Sequence, residues 1–302
     1  MLPELFSIGP LTVHSYGVML AVAFLLGAWL LRLELRRWHL PEDLADRVAI
    51  AGMIGGIAGA KLYFLLVEAP DQFALAPLSM LFSGAGLTFY GGLLGAILLI
   101  LWVVWRAKVS VVRLADLIGP ILVLGYALGR VGCLLSGDGD YGPPTDLPWG
   151  ISFPEGTVPT TLRVHPTPLY EIILCGIGFA VLWSWLRRKN LPRGMMVGAS
   201  LVTIGLERFF TEFWRIDSGV LATVMYRANA FGSAEGERTA FRAAVEAHYQ
   251  YAGLSIAQWI SIALFLLGVV ILWNRRNAKP AMPPARDKSV SAGTGKPQKS
   301  SA

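Results

Sequence analysis

Residues 129–142, GRVGCLLSGDGDYG, set a guanidinium, Arg130, at the end of an almost wholly apolar run and follow it with two carboxylates, Asp138 and Asp140, among closely spaced glycines. A charge at the edge of a hydrocarbon layer costs free energy and tends to mark function. Glycines let the backbone turn sharply and approach a bound group, and Arg offers a planar fork of donors that suits a phosphate. The chemistry suggested is anion binding; the plainer reading is a snorkelling arginine beside an ordinary loop. A second pair, Arg208 and Glu212, is spaced i, i+4 on another apolar segment, and the same face continues to Arg215, three residues further. Its plainer reading is a self-contained ion pair. A third group is HPTPLYE, residues 165–171. Pro166 and Pro168 stop any helix before them, and Thr167 is placed to cap the helix that follows. Tyr170 and Glu171 fall in its first turn, where the helix dipole favours a carboxylate. His165 is left outside, at the membrane surface.

The elements that must position these groups are membrane spans. The chain has 302 residues, 54% of them hydrophobic, and only 15% are charged, well under the roughly 25% of soluble domains. Its mean hydropathy is +0.55. This composition excludes an ordinary soluble protein of two domains. The net charge of +6 reads as basic loops of a membrane protein rather than as a nucleic-acid surface, so no nucleic-acid partner is expected. The two cysteines, Cys133 and Cys175, give neither a disulfide framework nor a zinc pattern, and no metal or cofactor is called for. Residues 1–11 hold no Lys or Arg, which argues against a cleavable signal.

About twenty apolar residues cross a bilayer. Seven stretches qualify, roughly 12–32, 48–68, 87–106, 114–134, 167–186, 194–214 and 255–274. The expected fold is therefore an all-α, polytopic membrane protein of seven transmembrane helices over residues 1–276, with outer-face segments at 135–166 and 215–254. The segment 215–254 is a candidate flap, and 277–302 is expected to be a disordered cytoplasmic tail. Basic residues gather on one side. Arg32, Arg36, Arg37 and Arg47, then Arg106, Lys108 and Arg113, then Arg187, Arg188, Lys189 and Arg193 follow spans one, three and five, and the tail adds seven more. The other side holds Arg163, Arg215, Arg227, Arg238 and Arg242. The positive-inside rule then sets the N-terminus outside and the C-terminus in the cytoplasm. The remaining cations, Lys61, Arg130 and Arg208, fall in the outer half of their spans, as do His14, Tyr16, Tyr90, Glu171, Glu207 and Glu212. Convergence at one depth implies a polar cavity reached by water. Asp116, at the opposite end of span four, reads as structural. The glycines of GAGLTFYGGLLG, 84–95, permit close helix approach.

Several of these stretches together resemble the prolipoprotein diacylglyceryl transferase family. HSYGVML at 14–20, GAKLYFLL at 59–66, GRVGCLLSGDGDYG, HPTPLYE, RFFTEFWR at 208–215 and GLSIAQWIS at 253–261 are similar to its motifs in the same order, over about residues 7–275. The resemblance implies an enzyme of the cell inner membrane, acting at its periplasmic face among membrane lipids. It implies transfer of the diacylglyceryl group of phosphatidylglycerol to the lipobox cysteine thiol of preprolipoproteins, with formation of a thioether and release of glycerol 1-phosphate. It assigns catalysis to Arg130, Arg208, Tyr90 and Glu212. It assigns substrate binding to Tyr16, His14, Lys61, Asp138, Gly142, His165, Tyr170 and Glu171. The chain departs from the pattern in having Tyr90 where a histidine is usual, Ile204 for a tyrosine, Cys133 for an asparagine, and a signature turn one residue longer. A non-catalytic paralogue that binds phospholipid or lipoprotein is the alternative from another class. A transporter is a third, disfavoured by the absence of an internal repeat.

Overall fold

The computed structural model describes residues 2–9, 11–83, 86, 88–216, 221, 223, 234–248 and 254–281. The chain opens with a short antiparallel hairpin, β1 (Glu4–Ile8) and β2 (Leu11–His14). It enters α1 (Ser15–Arg37), then α2 (Leu44–Tyr63), which runs on to Glu68 through one wider turn. Two single-turn pieces, α3 (Pro70–Leu75) and α4 (Pro77–Phe82), lead to α5 (Phe89–Arg106) and α6 (Val111–Ser136). A second hairpin, β3 (Ile151–Phe153) and β4 (Thr160–Val164), precedes α7 (Thr167–Ala180), which continues to Arg188. The rest is α8 (Met195–Thr211), extended to Trp214 by a tighter turn, α9 (Ala234–His248) and α10 (Ile256–Arg275).

The protein is mostly helical, and the two short hairpins are the departure from a purely α chain. Among the described residues, five helical stretches are long and apolar enough to cross a membrane: Ser15–Arg37, Leu44–Glu68, Val111–Ser136, Thr167–Arg188 and Ile256–Arg275. Tyr90–Arg106 is apolar but shorter, and α8 has 17 residues. Exposed Leu25, Trp29, Leu98, Trp105, Leu267 and Trp273 face outward, as an apolar solvent requires. Most of the expected tail and much of the expected flap, including Tyr226, Tyr249 and Tyr251, lie outside the described residues.

Helix α6 is the centre of the bundle, packed on α1, α7 and α8; α2 packs on α5, and α8 on α10. Any Cβ at Gly55 or Gly59 would meet the α5 backbone at Gly95 or Gly91, so these small residues set the α2–α5 distance. At the basic end of the bundle, Leu30, Leu31, Leu35, Leu44, Val48, Val104, Leu114 and Leu117 form a core. There Asp116 accepts hydrogen bonds from the Gly194 and Val197 backbone N–H groups, at 2.7 and 3.0 Å. It caps the start of α8, which is the structural role its position suggests. Asp116→Ala should lower the melting temperature by an amount equivalent to about 1 kcal/mol while leaving turnover per folded molecule unchanged, as thermal unfolding and transfer assays on the same preparation would show.

At the opposite end, Tyr141, Phe153, Leu162, Val164, Ile216, Leu221 and Phe241 form a second core beneath α9 and the β3–β4 hairpin. Buried Glu237 of α9 takes up the donors at the start of β4, including Thr160 Oγ1 at 2.9 Å and the Thr161 N–H at 3.1 Å. This cap of α9 and β4 sits above the end of α6 that carries Arg130.

Candidate active site

Helix α6 ends at Gly137, whose φ of +59° is a left-handed conformation that favours glycine and stops a helix. The turn after it brings Asp140 back over the last turns of α6. Asp140 pairs with Arg130 on one side and with Arg215 on the other. Arg130 Nε lies 2.9 Å from Glu171 Oε2 on α7, and Arg208 Nη1 of α8 lies 3.1 Å from Glu171 Oε1. Arg208 Nη2 is 2.7 Å from Glu212 Oε2, and Arg215 Nη1 is 3.7 Å from that same oxygen. The pairs close on themselves: Arg130, Glu171, Arg208, Glu212, Arg215 and Asp140 form one ring of alternating charge, drawn from α6, α7, the end of α8 and the loop after α6.

The ring is desolvated. The Glu171 side chain is 0% exposed, that of Glu212 1% and that of Arg130 13%. Burying paired charges rarely adds net stability, so a ring of six is better explained by function than by folding. Its members are held from behind. Tyr126, one turn before Arg130, donates its hydroxyl to Glu171 Oε1 at 2.9 Å and accepts from Arg130 Nη2 at 3.0 Å. Ser255, whose capping box starts α10, donates to Glu212 Oε1 at 2.9 Å. Thr167 Oγ1 donates to the Asp140 carbonyl at 2.6 Å. That last contact corrects the expectation that Thr167 caps α7: Pro166 holds the cap position, and Thr167, already inside the first turn, spends its hydroxyl on the Asp140 loop.

Electrostatics at the outer rim follow from this geometry. Burial pushes the Asp140 carboxyl up, but Arg215 and Arg130 outweigh it and hold the group below its usual range. Asp138 moves the other way: burial, and then the neighbouring negative charge of Asp140, raise it above the usual carboxylate range. Burial lowers His165. The Arg215 Nε–H is buried and has no hydrogen-bond partner among the described residues; such a donor is costly to leave unmet and is available to an anion.

The residues singled out from the sequence divide accordingly, but the division is finer than convergence at one depth suggests. Arg130, Arg208, Glu212 and Glu171 meet in the ring, and the Arg208–Glu212 pair is not self-contained. Asp140, rather than Asp138, is the carboxylate that grips Arg130; Asp138 accepts the Asp140 N–H at 3.3 Å. Tyr16 begins α1 with its ring packed over Gly132, close to the Arg130 turn. His14 is exposed just before it. Lys61 is buried and donates to the Ser83 carbonyl at 2.9 Å and hydroxyl at 3.0 Å, so it reaches the segment after α4. Glu207 accepts the hydroxyl of Thr211, one turn on in its own helix, at 3.2 Å. Tyr90 is 56% exposed on α5, the helix that packs on α2. His165 Nδ1 lies 3.2 Å from the Tyr170 hydroxyl, which also accepts from Trp149 Nε1 at 2.8 Å, and Tyr170 meets Trp214 edge to face.

Gly142 earns its place sterically. A Cβ there would collide with the Trp214 carbonyl and with His165 Cβ, and its N–H donates to the His165 carbonyl at 2.9 Å. Gly142→Ala must therefore push Trp214 away, and Arg215 with it. A shift of about 1 Å at a catalytic group can cost two orders of magnitude. Transfer activity should fall at least about tenfold, with a lowered melting temperature, in a purified Gly142→Ala protein.

Three ring-associated residues do not stand out as site residues in the sequence. Tyr126 carries a usable signal, being four residues before Arg130 on the same helix face. Asp140 lies in the lead motif and Arg215 continues the Arg208–Glu212 face, but their meeting depends on the path of two loops and is not readable from either position.

A family model for prolipoprotein diacylglyceryl transferase matches residues 3–274. The chain is similar to phosphatidylglycerol–prolipoprotein diacylglyceryl transferases of several bacteria. That of Bordetella avium is 31% identical over 285 residues, covering 92% of this chain and 96% of the relative. That of Cupriavidus metallidurans is 30% identical over 295 residues, 94% of this chain and 97% of the relative. That of Polynucleobacter asymbioticus is 32% identical over 285 residues, covering 91% and 96%.

Proposed function

Because the chain belongs to the prolipoprotein diacylglyceryl transferase family, we propose that the ionic ring is where a phosphatidylglycerol headgroup is held while its diacylglyceryl group passes to a cysteine thiol. The chain is a transferase, and relatives carrying that activity in their names over more than nine-tenths of its length weigh against a non-catalytic paralogue. The observation that supports this site is the convergence of three largely buried guanidiniums, one with an unmet donor among the described residues, at one end of an apolar bundle.

In this reading seven helices span the inner membrane, with the N-terminus and the ring toward the periplasm and the basic end in the cytoplasm. The substrates are phosphatidylglycerol, from the surrounding membrane lipids, and the lipobox cysteine of a preprolipoprotein. The thiol loses its proton, the sulfur attacks the terminal glycerol carbon of the diacylglyceryl group, and that carbon's bond to the phosphate oxygen breaks. A thioether forms and glycerol 1-phosphate leaves with the bonding electron pair. Charge therefore grows on the phosphate, and Arg130, Arg208 and Arg215 stabilise it there. Their carboxylate partners fix them in advance, so little reorganisation is needed as the charge develops. The thiolate is the reactive form.

Asp138 is the proposed proton acceptor. Among the described residues it makes no ion pair, it is part-exposed, and its raised pKa suits a base better than that of an ordinary carboxylate. Tyr90, exposed on α5 and not a member of the ring, contributes at most a hydroxyl to substrate. In this reading Tyr16, His14, His165, Tyr170 and Gly142 border the routes to the ring and contact lipid or lipobox, and Lys61 contacts lipid beside the segment after α4. Because Asp138 works only when ionised, activity is lost as pH falls through its raised pKa. The acid limb should thus lie above the usual carboxylate range. Asp138→Asn should lower turnover about 100-fold and abolish that limb in a pH–rate profile.

The function itself is tested by expressing the chain in a bacterium depleted of its own transferase. Growth and thioether-lipidated lipoproteins are expected. A chain that accumulates in the membrane without restoring either, where the Bordetella avium relative restores both, would overturn the assignment.

A further inference from the structure

Two sets of cations stand out at the basic end of the bundle; Arg106, Lys189 and Arg276 belong to neither and lie over the Trp102, Trp185 and Trp273 rings. On α1 and α2 each is neutralised: Arg32 by Asp46, Arg36 by Glu42, Arg37 by Glu34 and Arg47 by Asp43, while Arg187 of the α7 extension also pairs with Glu34. The other set is brought together from three separate parts of the chain. Lys108 and Arg113 come from the α5–α6 turn, Arg193 from the loop before α8, and Arg275 and Lys279 from the end of α10. Lys108, Arg113 and Arg193 line one pocket; Arg113, Arg193, Arg275 and Lys279 line the adjoining one.

No carboxylate pairs with these five among the described residues. The acid nearest in the fold, Asp116, has both oxygens committed to the α8 backbone. Like charges gathered without a counter-charge repel one another, and topology alone would be satisfied by cations spread over the surface. Here they are positioned. Arg113 lies 3.9 Å over the Trp38 ring, which fixes its guanidinium. The Arg275 side chain runs along Gly194, beside Val112. The Ala281 N–H donates to the Leu191 carbonyl at 3.1 Å, so the chain that bears Lys279 is tied to the loop that bears Arg193. The walls include apolar Leu40 and Val109, and exposed Val111 and Val112 open α6 beside it.

We propose that this is a second lipid site, for the headgroup of an anionic phospholipid of the cytoplasmic leaflet that carries more than one negative charge. Five cations without an ion-pair partner among the described residues exceed what one phosphodiester needs, and the apolar helix surface directly adjoining gives the acyl chains a path that a free phosphate would not use. Basic pockets between helices on the cytoplasmic side are suited to such headgroups. The site is distinct from the ring. Arg113 and Arg130 are on the same helix, seventeen residues and so about 26 Å apart at 1.5 Å per residue. Bound lipid would brace α6, α8 and α10, the helices that carry or support the ring.

The test uses the full chain purified in detergent and exposed to equal amounts of cardiolipin and phosphatidylglycerol, with retained lipid read by native mass spectrometry. The wild type should retain cardiolipin preferentially. The variant Arg193→Gln/Arg275→Gln/Lys279→Gln, altered only at exposed side chains, should lose that preference by at least about tenfold, given roughly 1 kcal/mol per cation near an anionic surface. The control Arg32→Gln/Arg36→Gln/Arg47→Gln removes the same charge from paired positions and should keep it. Equal loss in both variants would mean general electrostatic attraction and overturn the proposal. So would equal displacement of cardiolipin by inorganic pyrophosphate at matched phosphate concentration, which would make the pocket a site for soluble phosphate.

Discussion

Arg130→Lys is expected to lower diacylglyceryl transfer by about 10²–10³-fold, the range seen when a charge-stabilising donor is removed from a desolvated site. Arg130 reaches Asp140 and Glu171 from different edges of one plane, with Tyr126 on a third nitrogen. A lysine keeps the charge but not the fork. It can satisfy one of these partners well and must leave another buried and unmet. Phosphate geometry then suffers along with the ring. Tyr90→Phe, on an exposed ring of α5, should have a much smaller effect. Turnover measured on both variants at saturating lipid decides between these positions. Loss of turnover in Tyr90→Phe that a Tyr90→His variant restores would move the proton-accepting role from Asp138 to Tyr90.

Glu171→Gln is expected to cost both stability and activity. Its carboxylate is wholly buried between Arg130 and Arg208 and accepts the Tyr126 hydroxyl. Neutralising it leaves three largely buried guanidiniums against two carboxylates. Removing one partner of a buried pair typically costs 3–5 kcal/mol, about that much here, because the remaining charge has lost its compensation. The melting temperature should fall by several degrees, and transfer should fall with it as Arg130 and Arg208 separate. Added phosphatidylglycerol should recover part of the lost thermal stability, since its phosphate supplies a negative charge to the same arginines. A Glu171→Gln protein of unchanged melting temperature would show that the ring is not a connected unit.

Much of this is legible in the residues because hydrocarbon makes charge conspicuous. Arg130, Arg208, Glu171 and Glu212 stand out in apolar runs, and a charge there needs a partner. The i, i+4 spacing of Arg208 and Glu212 gives one edge of the ring directly. Helix positions are equally readable, since twenty apolar residues have few alternatives. What the chain order conceals is closure. Asp138 and Asp140 are two residues apart in a glycine-rich turn, and no periodicity decides which returns to Arg130. The turn that settles it carries two glycines of positive φ, Gly137 and Gly139. The spacing puts Arg215 on the face of Arg208 and Glu212, but its pairing with Asp140 shows only once Gly142 is seen to press against Trp214. Lys61 shares the depth of the ring but faces the segment after α4, because depth is a property of sequence and direction around the helix depends on packing.

That one arginine ring holds the phosphate departing as sulfur attacks is tested most directly by mixing the purified chain with phosphatidylglycerol, labelled in its headgroup glycerol, and a lipobox peptide. The wild type should yield thioether-lipidated peptide and labelled glycerol 1-phosphate in equal amounts, and Arg130→Lys should lose both together. Full yield of both products from Arg130→Lys, or thioether product without release of labelled glycerol 1-phosphate, would contradict it.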